Sequence, residues 1–281
     1  MRRSYLLPAL YLLLLAALPF GHARADDSPD RPFPADRPGK ASGPFTVDAG
    51  HFDIESDFVN LTADSNAAAI TRGVVFADPL LKAGLTRDID IELQLGGLQR
   101  YDVKDRSGGT KTHTIGYGDE TIRLKVNLAG NDGSDFAIAL LPSIKIPSAT
   151  DSLRKAGLAN NRIEGGLLVP MNYNLPHDFA LGYQAEWDAA KNAGDGDFHA
   201  NIVNIALLSH PVPRVDNMTA TLEFYSNIST SKAVSDLNIL TLDPSITYQV
   251  SPQLVFDVET DIGLNRGATD LQMIFGITRV F

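Results

Sequence analysis

The sequence predicts an all-β fold, a transmembrane antiparallel up-and-down β-barrel of about 12 strands. Three observations predict it. Runs of about ten residues with alternating apolar and polar side chains recur along the chain, tight turns alternate with longer polar loops, and the first 25 residues have the layout of an export signal.

The export signal is the most direct of the three. In "MRRSYLLPALYLLLLAALPFGHARA", Arg2 and Arg3 precede a largely apolar run from Tyr5 to Phe20, and the small-residue site Ala23-Arg24-Ala25 follows at once. Pro8 and the short run argue against a membrane-anchoring helix. Residues 1–25 are therefore expected to be a signal peptide, with the mature chain starting near Asp26 outside the cytoplasm. There is no cysteine, hence neither a lipoprotein anchor nor a disulfide framework. Removing the three signal arginines from 24 Lys plus Arg leaves 21 against 34 Asp plus Glu, a net charge of −13 that argues against nucleic-acid binding. Nothing after Phe20 resembles a membrane-spanning helix, so a bilayer-embedded chain would have to cross as a closed barrel.

The alternating runs follow in order. Upstream, "HFDIESDFV" (His51 to Val59) and "DIDIELQL" (Asp88 to Leu95) fit well, whereas "AAITRGVVFADPLL" (Ala68 to Leu81) is irregular. Then come "TIRLKVNL" (Thr121 to Leu128), "DFAIALLPSIKI" (Asp135 to Ile146), "LLVPMNYNL" (Leu167 to Leu175), "DFALGYQAEWDA" (Asp178 to Ala189) and "DFHANIVNIALL" (Asp197 to Leu208). "NMTATLEFYSNIS" (Asn217 to Ser229), "LNILTLDPSITYQV" (Leu237 to Val250), "QLVFDVETDIGL" (Gln253 to Leu264) and "LQMIFGITRVF" (Leu271 to Phe281) complete an even set, as bacterial barrels require. Tight links include Lys82 to Arg87, Ala129 to Ser134, Pro176-His177, Ser209 to Asp216 and Ser251-Pro252. The other set includes two long polar loops, Gly96 to Glu120 and Pro147 to Gly166. Short turns on one rim and long loops on the other place both termini on the short-turn, periplasmic side.

Where alternation is clean, one strand face is apolar and the other charged. Phe179, Leu181, Tyr183, Ala185 and Trp187 oppose Gly182, Gln184, Glu186 and Asp188; Leu254, Phe256, Val258, Ile262 and Leu264 oppose Asp257, Glu259 and Asp261. A soluble two-sheet sandwich would produce a similar pattern. The export signal, the even strand count, the loop asymmetry and the apolar last strand favour the barrel.

Four phrases carry a family resemblance: "ADRPGKASGPFTVDAGHFDIE" (Ala35 to Glu55), "GYGDETIRLKVNLAGND" (Gly116 to Asp132), "EGGLLVPMNYNLP" (Glu164 to Pro176) and "FHANIVNIAL" (Phe198 to Leu207). They resemble the phenol-degradation MetA-pathway family of outer-membrane β-barrel proteins over nearly all the mature chain. The resemblance implies an outer-membrane barrel of a Gram-negative bacterium, set among outer-membrane lipid and lipopolysaccharide. It suggests passive uptake of small hydrophobic or aromatic solutes near aromatic-compound breakdown. A closed structural or adhesive barrel acting through its long outer loops is the alternative. Outer-membrane barrels commonly end in an aromatic residue read by the barrel assembly machinery, which Phe281 matches. Arg279, in the outward apolar row, departs from that pattern.

Inward positions form two candidate lumen sets: Arg123, Lys125 and Lys145 on one side, and Glu186, Glu223, Asp257, Glu259 and Asp261 on later strands, joined by Asp53, Glu55 and Asp57. Opposed basic and acidic walls would set a transverse field selecting solutes. The same groups could instead pair and plug a lumen of this size. Tyr173, Tyr183, Trp187, Phe198, Phe224 and Phe275 are candidates for aromatic girdles.

No catalytic, metal or cofactor motif is present: there is no G-x-S-x-G, no H-E-x-x-H and no phosphate-cradling Gly-Lys loop. No enzymatic activity, metal or cofactor is expected, the one weak acid-base candidate being His113 with Asp105 or Ser107 in the long loop. The sequons at Asn60, Asn217 and Asn227 fall in or beside strands and read as chance. Residues 26–45, with Pro29, Pro32, Pro34 and Pro38, read as an extended periplasmic N-terminal segment ahead of the barrel at 46–281. Its simplest role is a flexible leader; the alternative is a strap or plug threading the lumen.

Overall fold

The computed structural model describes residues 33–191, 197–231 and 238–281. The proposed signal peptide lies outside them. Fourteen strands are present among the described residues: β1 (Phe52–Ser65), β2 (Ala69–Thr86), β3 (Ile89–Gln94), β4 (Leu98–Asp105), β5 (Lys111–Tyr117), β6 (Glu120–Ala129), β7 (Phe136–Ile146), β8 (Glu164–Asn174), β9 (Ala180–Lys191), β10 (Phe198–Pro211), β11 (Met218–Ser229), β12 (Ile239–Ser251), β13 (Leu254–Gly263) and β14 (Leu271–Val280). One five-residue helix, α1 (Asp151–Lys155), follows β7.

Twelve of the strands close a barrel. Each pairs antiparallel with its neighbours, and the ring shuts where β1 pairs with both β14 and β2. The last strand is therefore an interior member of the wall, with Phe281 N–H bonded to the Phe52 carbonyl and Phe52 N–H to the Phe281 carbonyl. No edge is left along this seam to recruit other chains.

The arrangement is inside-out relative to a soluble protein. Outward side chains such as Trp187 (52% exposed), Phe224 (44%) and Phe256 (40%) are uncovered, while Lys82, Lys125, Glu55 and Glu92 are each at most 1% exposed. A sandwich would bury the apolar set and solvate the charged one. The closed ring and its apolar exterior decide for the barrel, and no described helix is long and apolar enough to span a bilayer.

Two connections differ from expectation. The stretch Gly96 to Glu120 is mostly a β-hairpin, not a loop: β4 and β5 extend β3 and β6 beyond a kink. Three features make the kink. Ala77 takes a positive φ of 49° in β2, so β2 pairs with β4 up to Phe76 and with β3 from Leu80. Gly97 lies against the Phe76 and Ala77 carbonyls, and Gly96 and Gly118 pass so close that a Cβ on Gly96 would lie 2.5 Å from the Gly118 Cα. The glycines that read as loop punctuation are the crossing point of two continuing strands.

Likewise β2 runs through Lys82, so the expected Lys82 to Arg87 turn shrinks to Arg87-Asp88. The Ala77 irregularity breaks the alternation, which then resumes with buried Leu80, Lys82 and Gly84. The free edge of β5 is capped by the segment after β7, where Thr150 N–H bonds to the Tyr117 carbonyl and Ser152 Oγ to the Ile115 carbonyl. Short links cluster on the rim that carries Phe52 and Phe281. One of them uses left-handed backbone at His177 and Asp178, with φ of 63° and 61°.

Candidate functional site

The centre of the barrel is filled by the chain's own N-terminal segment. Residues 33–46 form a strap inside the lumen, and the register of its contacts traces a hook. Asp36 and Arg37 N–H groups donate to Glu55 on β1 at 2.9 Å each, Gly39 N–H to Glu259 on β13 at 2.8 Å, and Lys40 N–H to Glu223 on β11 at 2.9 Å. Ser42 N–H donates to Gln184 on β9 at 2.8 Å, and the hook closes on itself where Gly43 N–H meets Asp36 Oδ1 at 2.8 Å. The chain returns past Asn127, whose amide donates to the Pro44 carbonyl. Val47 N–H on Asp90 then leads into β1. A strap without regular structure cannot satisfy its own backbone, and the acidic wall supplies the acceptors.

Side chains fix it further. The Arg37 guanidinium grips Asp257 with Nη2 at 2.8 Å and Nε at 3.2 Å, and also pairs with Asp57. Lys40 Nζ lies 2.7 Å from both Asp243 and Asp261. Burial works against charge on both cations, but the facing carboxylates outweigh it and hold each pKa above its ordinary value. Burial likewise raises the Asp36 carboxyl, yet Lys125 and Lys82 pull it below the usual range. Two glycines make room. On β14 a Cβ at Gly276 would lie 2.2 Å from Arg37 Nη2, and one at Gly39, where φ is +105°, would lie 2.6 Å from Glu223 Oε2.

The eight candidate lumen residues all lie on the inward side, in two groups. Lys125, Glu223, Asp257, Glu259 and Asp261 are buried against the strap or beside its contacts. Arg123, Lys145 and Glu186 are half-buried beyond it toward the long loops, with Lys145 paired to Glu164 and Glu186 accepting from Gln184. Asp53, Glu55 and Asp57 also face inward and are buried.

The expected opposition of a basic and an acidic wall does not form. Lys125 is neutralised by Glu92 at 3.0 Å and Asp36 at 2.8 Å, while Lys82 pairs with Asp53 at 3.0 Å and with Glu55. The unlike surface is apolar: Ala139, Leu141 and Leu168 form one buried cluster, and Val203 and Ile205 receive Ala41 of the strap in another. Lys82 and Asp243, which sequence reasoning missed, complete the wall together with Gln184, which the alternation places on the inward face. Asp90 and Glu92 were detectable as the polar half of the alternation in "DIDIELQL".

At the short-turn mouth, beside Phe33 and Arg37, a cavity of about 750 Å³ opens between the strap and the turn Pro211 to Met218. Tyr173 stands near this rim and Phe198 near the opposite one. Tyr183 and Trp187 point outward along β9, whereas Phe224 and Phe275 sit mid-strand, away from either rim. His113 faces Asp102 across the β4–β5 pairing, not Asp105 or Ser107; Asp105 instead accepts from the Ser107 backbone and hydroxyl. That pair is exposed, with the His113 side chain 62% accessible.

The chain is similar to several solved structures, the first of which shares this fold. The outer membrane channel from Pseudomonas putida F1 is 16% identical, with 87% of this chain and 99% of that one covered and a TM-score of 0.56. The NanC porin is 10% identical, covering 81% and 98% with a TM-score of 0.49. The β domain of the Bordetella autotransporter BrkA is 12% identical, covering 83% and 100%, also at 0.49. No curated protein matches the chain. The molecule has the fold of an outer-membrane β-barrel, and through a match spanning residues 35–279, from the strap to the last strand, it belongs to the family described as "Putative MetA-pathway of phenol degradation".

Proposed function

We propose that the protein is a passive outer-membrane channel for small hydrophobic or aromatic solutes, closed at rest by the strap of residues 33–46. One observation carries this reading: the wall's own inward groups do not fill or neutralise the lumen. Among the described residues, Asp57, Asp243, Asp257 and Asp261 find their cations only in Arg37 and Lys40 of the strap. A barrel built as a solid support would be expected to pack its interior with wall side chains, as small barrels do. Here the closing element is a single segment held chiefly by polar contacts that water can replace. The apolar surface of β7, β8 and β10 supports the choice of solute, since it would remain as a non-polar track beside the displaced strap. In this reading both termini are periplasmic, the strap works from that side, and the barrel assembly machinery reads Phe281.

Planar-bilayer recording of the refolded mature chain, with heat-shifted gel mobility confirming the barrel, tests the proposal. Brief or rare steps in the intact chain and a sustained conductance after removal of residues 26–46 are expected. A silent bilayer from both proteins would favour the alternative, a structural or adhesive barrel acting through the β4–β5 hairpin and the loop that carries α1.

A further inference from the structure

We infer that the junction of the strap with β11–β13 is a binding site for a hard divalent cation of the calcium class. Glu223, Asp243 and Glu259, from three adjacent strands, each bring a carboxylate oxygen to within 4.8 Å of the others, and all three are buried. Hydrogen bonding accounts for only part of the set. Glu259 uses Oε2 for the Gly39 N–H and Asp243 uses Oδ2 for Lys40 Nζ, which leaves Glu259 Oε1 and Asp243 Oδ1 buried without a hydrogen-bond partner. These residues are 2% and 1% exposed, so bulk water does not reach the orphaned oxygens.

Charge points the same way. Glu223, Asp243, Glu259 and the adjacent Asp261 face one ammonium, that of Lys40, whose 2.7 Å contacts go to Asp243 Oδ2 and Asp261 Oδ2. A divalent cation on the remaining oxygens would remove most of the excess. An all-carboxylate donor set with no nitrogen or sulfur ligand suits calcium rather than a transition metal. Because Glu223 also accepts the Lys40 and Ala41 N–H groups, the ion would tie the strap to the wall through shared ligands. The inference rests on the fold and these side chains, and stands or falls independently of channel activity.

The test is luminescence of Tb³⁺ added to the refolded full mature chain in detergent, with Tyr225, two residues from Glu223 on the same strand face, as sensitiser. One saturable signal displaced by Ca²⁺ is expected. Glu259→Gln and Asp243→Asn should each weaken it about tenfold or more, whereas Asp188→Asn, farther along the lumen, should leave it unchanged. Heat-shifted mobility shows whether each variant still forms the barrel, and the two isosteric changes serve as independent checks on one another. No saturable signal from the folded wild-type chain would overturn the inference. So would a signal that survives both substitutions in folded protein, because the carboxylates would then be balanced by shared protons and the Tb³⁺ would be bound elsewhere.

Discussion

The strap meets two walls of opposite construction. Along β1, β2, β3 and β6 the wall carries both signs: Lys82 pairs with Asp53 and Glu55, Lys125 with Glu92, and the strap adds the Asp36 carboxylate between the two lysines, Asp57 being the one β1 acid among these that turns to Arg37. Along β11, β12 and β13 the wall is acidic throughout, and the strap supplies the cations Arg37 and Lys40. The first wall keeps most of its pairs if the strap leaves. The second is left with a row of buried carboxylates, and leaving a buried charge unpaired costs far more than an exposed pair contributes. Closure is therefore anchored on one side, and Arg37 and Lys40 are the residues on which it depends.

Removing residues 26–46 should break this asymmetry most completely. The exposed acids of β11–β13 would line the opened lumen without compensation, while the lysines of the other wall stay paired. The expected outcome is a sustained conductance with clear cation selectivity, read from the reversal potential in a salt gradient. An anion-selective or unselective pore would mean that Lys82 and Lys125 lose their wall partners too.

Point substitutions sharpen the comparison. Arg37→Ala leaves Asp57 and Asp257 facing each other in the lumen and should weaken strap docking by about 3–5 kcal/mol, the usual cost of breaking a buried pair from one side. Asp36→Ala should cost only about 1–3 kcal/mol, since Lys125 retains Glu92 and Lys82 retains two carboxylates. Open probability in bilayers measures both. Equal effects would refute the one-sided anchor.

How much of this was legible in the sequence follows from what periodicity encodes. Alternation reports which face a residue takes, so the acids of β13 and the greasy face of β14 could be read directly. It is silent on neighbours across the ring. Arg123, Lys125 and Lys145 looked like one basic wall, but Asp90 and Glu92 on the adjoining β3 and Glu164 on β8 neutralise it in place. Alternation also fails where the positive φ of Ala77 switches the inward face of β2, which hid Lys82, and the glycine crossing beside it made a hairpin look like a loop. The strap has no period at all. Its role lay in Gly39, Arg37 and Lys40 matching acids nearly two hundred residues or more away in the chain, a pairing that only the closed barrel brings together.

Sterics offer a smaller perturbation that leaves every charge in place. Gly276 lies on β14 beneath the guanidinium of Arg37, and a leucine there would occupy the same space. Gly276→Leu should raise open probability while the barrel keeps its heat-shifted mobility. The effect should fall short of Arg37→Ala, because the long arginine side chain can shift and keep one of its two carboxylates.

The smallest effect expected is on pH dependence, and it belongs to the mixed wall. Asp36 has its pKa pulled below the ordinary value by Lys125 and Lys82 in spite of burial, so its folded state binds a proton less readily than the free chain does. Its contribution to docking is accordingly full above the ordinary carboxylate value of about 3.9 and is lost as pH falls through the depressed one. The chain contains no cysteine, so one introduced at Ser42 can carry an environment-sensitive dye that reports strap release. Asp36→Asn should remove one acid-dependent component of that release below about pH 4 and weaken docking at neutral pH by no more than Asp36→Ala does, the two proteins converging at acid pH. An unchanged acid profile would place the whole pH response on the acidic wall and make the two-lysine side a passive partner in closure.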